Sequence, residues 1–169
     1  MNLTKDKTGV MTTARKGWNP RLVVFACNWC SYAGADTAGV SRIQHQPHFR
    51  MIRVMCSGRI QPAFVLRAFE KGADGVLVSG CHFGDCHYIF GNERAVEQFE
   101  KTMNIVKLLG IDEGRLRLEW ISAAEGVRFA EVIDEFTDQV RALGPSPFAA
   151  CDNIHAIEVP EQESVVEGN

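Results

Sequence analysis

The order of residue patterns along the chain predicts an α/β protein: a small doubly wound parallel four-stranded sheet with helices on both faces, an extended N-terminal arm and a C-terminal tail. Two observations carry this. Four short runs have the composition of strands, and the first and third are apolar on both faces, as strands covered by helices are. After each run the apolar period lengthens to that of a helix, and alternating strands and helices build a parallel sheet with right-handed crossovers.

The first strand is expected over Leu22-Val23-Val24-Phe25-Ala26-Cys27. Residues 32–40 follow as a helix rich in glycine and alanine, which lets its backbone come close to a neighbour. The second run, Phe49 to Cys56, alternates more and suits a sheet edge. Pro62 opens the next helix and Gly72 ends it, with Phe64, Val65, Ala68 and Phe69 as its apolar positions. The third strand is Gly75 to Cys81. Asn92 is read as the cap of a helix carrying Val96, Phe99, Met103 and Val106, with Gly110 beyond it. Arg115 to Ser122 forms the fourth strand, and Ser122 with Glu125 has capping-box spacing before Phe129, Ile133, Phe136 and Val140. Gly144-Pro145 stops that last helix. This divides the chain into an arm (1–20), one α/β domain (21–144) and a tail (145–169) that contains Cys151.

Composition narrows the function. With 169 residues the domain has core enough to fold without staples. Eighteen basic and 21 acidic side chains leave a formal charge of −3, which gives no footprint for nucleic acid or for an anionic membrane. No apolar run is of membrane-spanning length, and the first twenty residues lack a signal-peptide core, so a cytoplasmic protein is expected. In a reducing compartment, six cysteines read as a metal or redox site before a disulfide framework.

Cys27, Cys56 and Cys81 each close an expected strand. Ligands of open parallel sheets bind outside the carboxyl ends of the strands. Cys30 and Cys86 follow Cys27 and Cys81 at short spacing, so five thiols converge on one edge. The C-x-x-C of Cys27-Asn28-Trp29-Cys30 fits a zinc knuckle, an iron–sulfur cluster or a redox dithiol. Cys81 to Cys86 is a C-x4-C pair, a spacing shared with plant-type [2Fe–2S] ferredoxins. Around such a site, Gly80, Gly84, Gly91 and Ser57-Gly58 turn the chain and expose backbone N–H groups to sulfur. Trp29, Phe83 and Tyr88 are read as packing the loops and shielding the thiols. His82 and His87 read equally as ligands and as loop residues, His45 and His48 as surface residues, and Cys151 as outside the site. No G-x-G-x-x-G follows the first strand and no acid–base pair stands out, so no catalytic residue is expected.

Four stretches, Cys27 to Asp36, Arg53 to Arg59, Gly80 to Tyr88 and Trp120 to Gly126, resemble the delta subunit of methyl-viologen-reducing hydrogenase. The resemblance spans about residues 19 to 145. It implies an iron–sulfur electron-transfer subunit carrying a [2Fe–2S] cluster. As implied partners it brings a nickel–iron hydrogenase or a formate dehydrogenase on one side, and on the other the flavin-containing subunit of a heterodisulfide reductase that performs electron bifurcation. Each iron of such a cluster takes two thiolates. Cys27 with Cys30 and Cys81 with Cys86 supply them, with Cys56 as the substitute for one, foremost Cys30; four of these five are expected as ligands. Two other readings stay open: a structural zinc domain on the same thiols, and a dithiol oxidoreductase using Cys27 and Cys30.

Overall fold

A computed structural model describes residues 18–148 together with two short strands, Thr4–Lys5 and Met11–Thr12, which pair antiparallel. The remainder of the arm, and the tail from residue 149 onward with Cys151, lie outside the described residues. The domain runs β1 (Leu22–Cys27), α1 (Ser31–Val40), β2 (Phe49–Val54), α2 (Pro62–Glu70), β3 (Gly75–Gly80), α3 (Gly91–Leu108), β4 (Leu116–Trp120) and α4 (Gly126–Leu143). The four strands form one parallel sheet in the order β2-β1-β3-β4. This is the expected small doubly wound sheet, with the second run at its edge.

Side chains alternate across the strands. Leu22, Val24, Ala26 and Leu77 meet Phe129, Val132, Ile133, Phe136 and Val140 of α4 on one face. Phe25, Val76 and Val78 meet Val65, Phe69, Val106 and Ile111 on the other. Each of the larger buried side chains contributes roughly 1.5–3 kcal/mol of transfer free energy, so both helix layers are fixed against the sheet. The small residues of α1 serve close approach: a Cβ on Gly34 would lie 2.7 Å from the Ser122 carbonyl oxygen, and one on Gly126 2.7 Å from the Ala38 nitrogen. Gly72, Gly110 and Gly144 end their helices with φ of 84°, 71° and 77°, the left-handed region that glycine enters freely.

Both chain connections are tied at the amino ends of the strands. The buried Asp74 carboxylate accepts the Arg21 N–H at 2.8 Å and the Ser146 N–H at 2.8 Å. Arg115, 4% exposed, donates to the carbonyls of Asp74 (3.0 Å), Leu143 (3.1 Å) and Pro145 (3.2 Å). A cleft of about 650 Å³ lies at this pole, against Arg21, Phe49 and Lys71.

Three expectations need correction. Asn92 is the second residue of α3, not its cap, and its side chain turns inward to bond the loop ahead of it. Arg115 lies in a 3-10 turn before β4, because its guanidinium is needed by three carbonyls. His45 and His48 are half-buried, His45 packing on Phe49 and Phe129 with ring centroids 5.4 and 5.8 Å apart. Among the described residues no helix is long and apolar enough to cross a membrane.

Candidate metal centre

The strand order places a switch point between β1 and β3, since the chain leaves β1 for β2 on one side and returns to β3 on the other. Cys27 is the last residue of β1, and Cys81 follows the last residue of β3. Their sulfurs lie 3.7 Å apart. Cys56 sits two residues beyond β2 and opens the 3-10 turn Ser57–Arg59. Cys30 precedes α1 and accepts that helix's first hydrogen bond, from Gly34 N–H at 2.7 Å. Ser31 anchors the same helix start to β3, donating to the Gly80 carbonyl at 3.2 Å. Cys86 lies in the loop between β3 and α3.

All five sequence-predicted thiols are thereby brought together. Beyond the Cys27–Cys81 contact, Cys30 packs in one buried cluster with Cys27 and Cys81, Cys86 lies against that cluster, and Cys56 and Cys86 both lie against Gly91. None of the five is in a disulfide; four are buried and Cys86 is half-buried. Among the described residues no three His, Cys, Asp or Glu side chains are set around a single ion position.

The site is shaped by residues with little or no side chain. Gly91 begins α3 against the thiols: a Cβ there would overlap Cys56 Sγ and lie 2.9 Å from Cys86 Sγ. A Cβ on Gly58 would sit 2.6 Å from the Gly91 carbonyl oxygen, so the turn and the helix start are locked together. Backbone N–H groups of Trp29, Cys30 and Ser57 lie near enough to Cys27 to favour its thiolate, and that of Gly58 does the same for Cys56. These are the exposed amides expected around the glycines, with non-glycine residues supplying most of them.

The electrostatics follow from this placement. Hydrogen bonding to Cys81 holds the Cys27 thiol down to about 6 against the opposing effect of burial, aided by the three N–H groups. Two thiols this close do not both ionise, so Cys81 keeps its proton and is pushed well above the ordinary thiol range, chiefly by its bond to Cys27. Burial pushes Cys30 and Cys56 up as well.

The surrounding loops are braced by side chains. Trp29 stacks on His87 with ring centroids 3.8 Å apart and donates from Nε1 to the Tyr88 hydroxyl at 3.3 Å. Phe83 meets Trp120 edge-on at 5.2 Å. These aromatics pack the loops as expected, and each keeps much of its own surface in solvent, Trp29 being 42% exposed. His87 thus packs as a loop residue. His82 Nε2 lies 2.7 Å from the Glu125 carboxylate, which also accepts the Ser122 N–H at 2.7 Å. The Ser122 N–H first, then His82, holds Glu125 low, at about 2. Asn92 donates to the His82 carbonyl at 2.9 Å. Sequence reasoning missed the bracing by Asn92 and the pairing of His82 with Glu125; the capping-box spacing of Glu125 was the signal at hand. Ile89 has φ 68°, so the strain of a non-glycine left-handed residue sits between Cys86 and α3. A cleft of about 410 Å³ reaches Cys56 past Met55, Arg59, Phe90 and Arg94.

A parallel sheet with five thiols gathered at its switch point defines a thiol-site α/β domain. Residues 22–144 match the family described as methyl-viologen-reducing hydrogenase, delta subunit, and the chain belongs to that family. It is 50% identical over 130 residues to the iron-sulfur subunit of the vhc F420-non-reducing hydrogenase of Methanococcus voltae, covering 77% of this chain and 90% of that one. It is also 50% identical over 131 residues to the iron-sulfur subunit of the F420-non-reducing hydrogenase of Archaeoglobus profundus, with 78% and 96% covered. A third relative is much longer. This component of the ferredoxin:CoB-CoM heterodisulfide reductase of Methanosarcina mazei is 52% identical over 133 residues, 79% of this chain but 17% of that one.

Proposed function

We propose that this protein is an iron–sulfur electron-transfer subunit carrying one [2Fe–2S] cluster on four of Cys27, Cys30, Cys56, Cys81 and Cys86. The observation that carries this is the gathering of five thiols at the sheet's switch point, with Cys27 and Cys81 in sulfur contact, Cys30 and Cys86 packed beside them and Cys56 beside Cys86 at Gly91. Thiolates are the donors such iron takes, and thiols gathered in pairs suit two irons with two ligands each. The fit extends to the cradle: the absent side chain at Gly91 lets the sulfurs of Cys56 and Cys86 come up against the backbone. When bound, the cluster supplies a one-electron redox centre. The protein's own residues hold it and restrict water, with Trp29 and Phe83 over the loops.

The relatives' names supply the setting. Two are iron–sulfur subunits of hydrogenases, and in the third a matching stretch lies within a component of a heterodisulfide reductase. The proposed partners are accordingly a hydrogenase or formate dehydrogenase upstream and the flavin-containing subunit of a heterodisulfide reductase downstream, in an electron-bifurcating complex of the cytoplasm. A dithiol enzyme on Cys27 and Cys30 fits less well, because the lowered thiol is 1% exposed and its sulfur partner is Cys81.

Anaerobic purification with iron, zinc and acid-labile sulfide analysis tests the reading. About two irons and two sulfides per chain, with a visible-range absorption and an EPR signal on reduction, are expected. Colourless protein with zinc in their place overturns it.

A further inference from the structure

Five sulfurs exceed the four ligands of one [2Fe–2S] cluster, and their contacts divide them. Two metal–sulfur bonds of about 2.3 Å at a tetrahedral angle put two sulfurs on one metal about 3.8 Å apart. Cys27 and Cys81, from different strands, already stand at 3.7 Å. Cys56 and Cys86, again from different loops, both face the missing side chain at Gly91, where one Cβ would meet both sulfurs. These two pairs share no residue. Cys30 packs beside Cys27 and Cys81 with Cys86 against the same cluster, but it is Cys27 that stands within sulfur contact of Cys81. Between Cys27 and Cys30 as partner of Cys81, the sulfur separation decides, since Cys27 already stands at the distance that two sulfurs on one metal keep. Cys30 instead sits at the start of α1, its position fixed by helix geometry and by Ser31 on Gly80.

We propose that the ligands pair across the strands, Cys27 with Cys81 on one iron and Cys56 with Cys86 on the other, while Cys30 stays a free thiol that donates a weak hydrogen bond to Cys81 Sγ. This rests on the reading of the chain as a [2Fe–2S] carrier. It differs from pairing by sequence spacing, in which each short motif serves its own iron. Cys30 is then a positioning residue that acts through a ligand sulfur.

The test uses the full chain purified anaerobically, as parent and as single Cys→Ala variants. Cys30→Ala is expected to keep the parental iron and sulfide and its EPR signal. It is also expected to move the cluster potential to a more negative value, since a hydrogen bond to sulfur is gone. Alanine at Cys27, Cys56, Cys81 or Cys86 is expected to lose at least half of the iron. Cys30→Ser, checked with Cys30→Ala by circular dichroism, separates ligand loss from misfolding; cluster loss in a folded Cys30 variant overturns the proposal. For the pairing, Cys27→Ser and Cys81→Ser are expected to alter the EPR anisotropy alike, and Cys56→Ser and Cys86→Ser alike in another way; any other grouping refutes it. A parent without two irons and two sulfides refutes the carrier reading itself, a result distinct from all of these.

Discussion

Gly91→Ala is the most economical perturbation of the centre. It adds one methyl group where a Cβ overlaps Cys56 Sγ and lies 2.9 Å from Cys86 Sγ. Non-bonded heavy atoms settle at about 3.5–4.0 Å, so Cys86 Sγ must retreat by roughly 0.6–1.1 Å and Cys56 Sγ by more. The helix start cannot slide away, because the Gly58 backbone is packed against the Gly91 carbonyl. Metal–ligand distances tolerate only about 0.2 Å, several times less than that displacement. Overpacking costs about 1–3 kcal/mol, and alanine returns up to roughly 1 kcal/mol of helix propensity. The metal-free fold is therefore expected to lose no more than about 2–3 kcal/mol while cluster content falls severalfold. Iron and sulfide analysis beside a urea titration of the metal-free protein reads both quantities. Parental cluster content in a folded Gly91→Ala protein refutes the assignment of this glycine to the site.

Arg115→Met removes a buried guanidinium and strands three carbonyl acceptors; a loss of about 2–4 kcal/mol is expected in urea unfolding. Asp74→Ala leaves the N–H groups of Arg21 and Ser146 without their acceptor and is expected to cost a similar ~2–4 kcal/mol, with Asp74→Asn milder because one oxygen remains; equal melting of the two variants counts against this. In the metal-free protein the folded state releases the Cys27 proton near 6 whereas an unfolded chain holds it to the ordinary thiol range near 9. Stability is expected to rise across that window by about 1.4 kcal/mol per pH unit. Cys30, Cys56 and Cys81 are raised, so the fold keeps protons the unfolded chain gives up, and stability falls above about pH 9. Urea midpoints at pH 6.5, 8.5 and 10 check this, and Cys27→Ala is expected to flatten the rising limb and, because Cys81 is raised chiefly by its bond to Cys27, to soften the fall as well.

Much of the architecture was legible because its signals are local. Val23, Val24, Val76 and Val78 mark strands covered on both faces, and Gly72, Gly110 and Gly144 mark the helix ends that their positive φ requires. The gathering of Cys27, Cys56 and Cys81 followed from parallel strands alone, since every carboxyl end then points to one edge. What could not be read depends on which strands are neighbours. Spacing groups Cys27 with Cys30 and Cys81 with Cys86, yet the closest sulfur contact joins Cys27 to Cys81, because β1 lies beside β3, and Cys56 and Cys86 meet at Gly91. Asn92 has the chemistry of a cap, and only the approach of the preceding loop gives it a different partner. Arg115 looks like a surface charge in an alternating strand until three carbonyls from distant segments surround it.

The Asp74 carboxylate gives the domain two poles. Arg21 and Ser146, where the chain enters and leaves, meet on it at the amino ends of the strands. The thiols occupy the other end, six residues of β1 and so about 20 Å away. A unit built this way behaves as a cassette: sequence can be joined at either end without crossing the surface through which electrons would pass. That geometry makes physical sense of a related stretch accounting for 17% of a far longer polypeptide. It also points to a practical use, since an affinity tag or an electrode tether joined directly beside Arg21 or Ser146 starts from the pole opposite the cysteines.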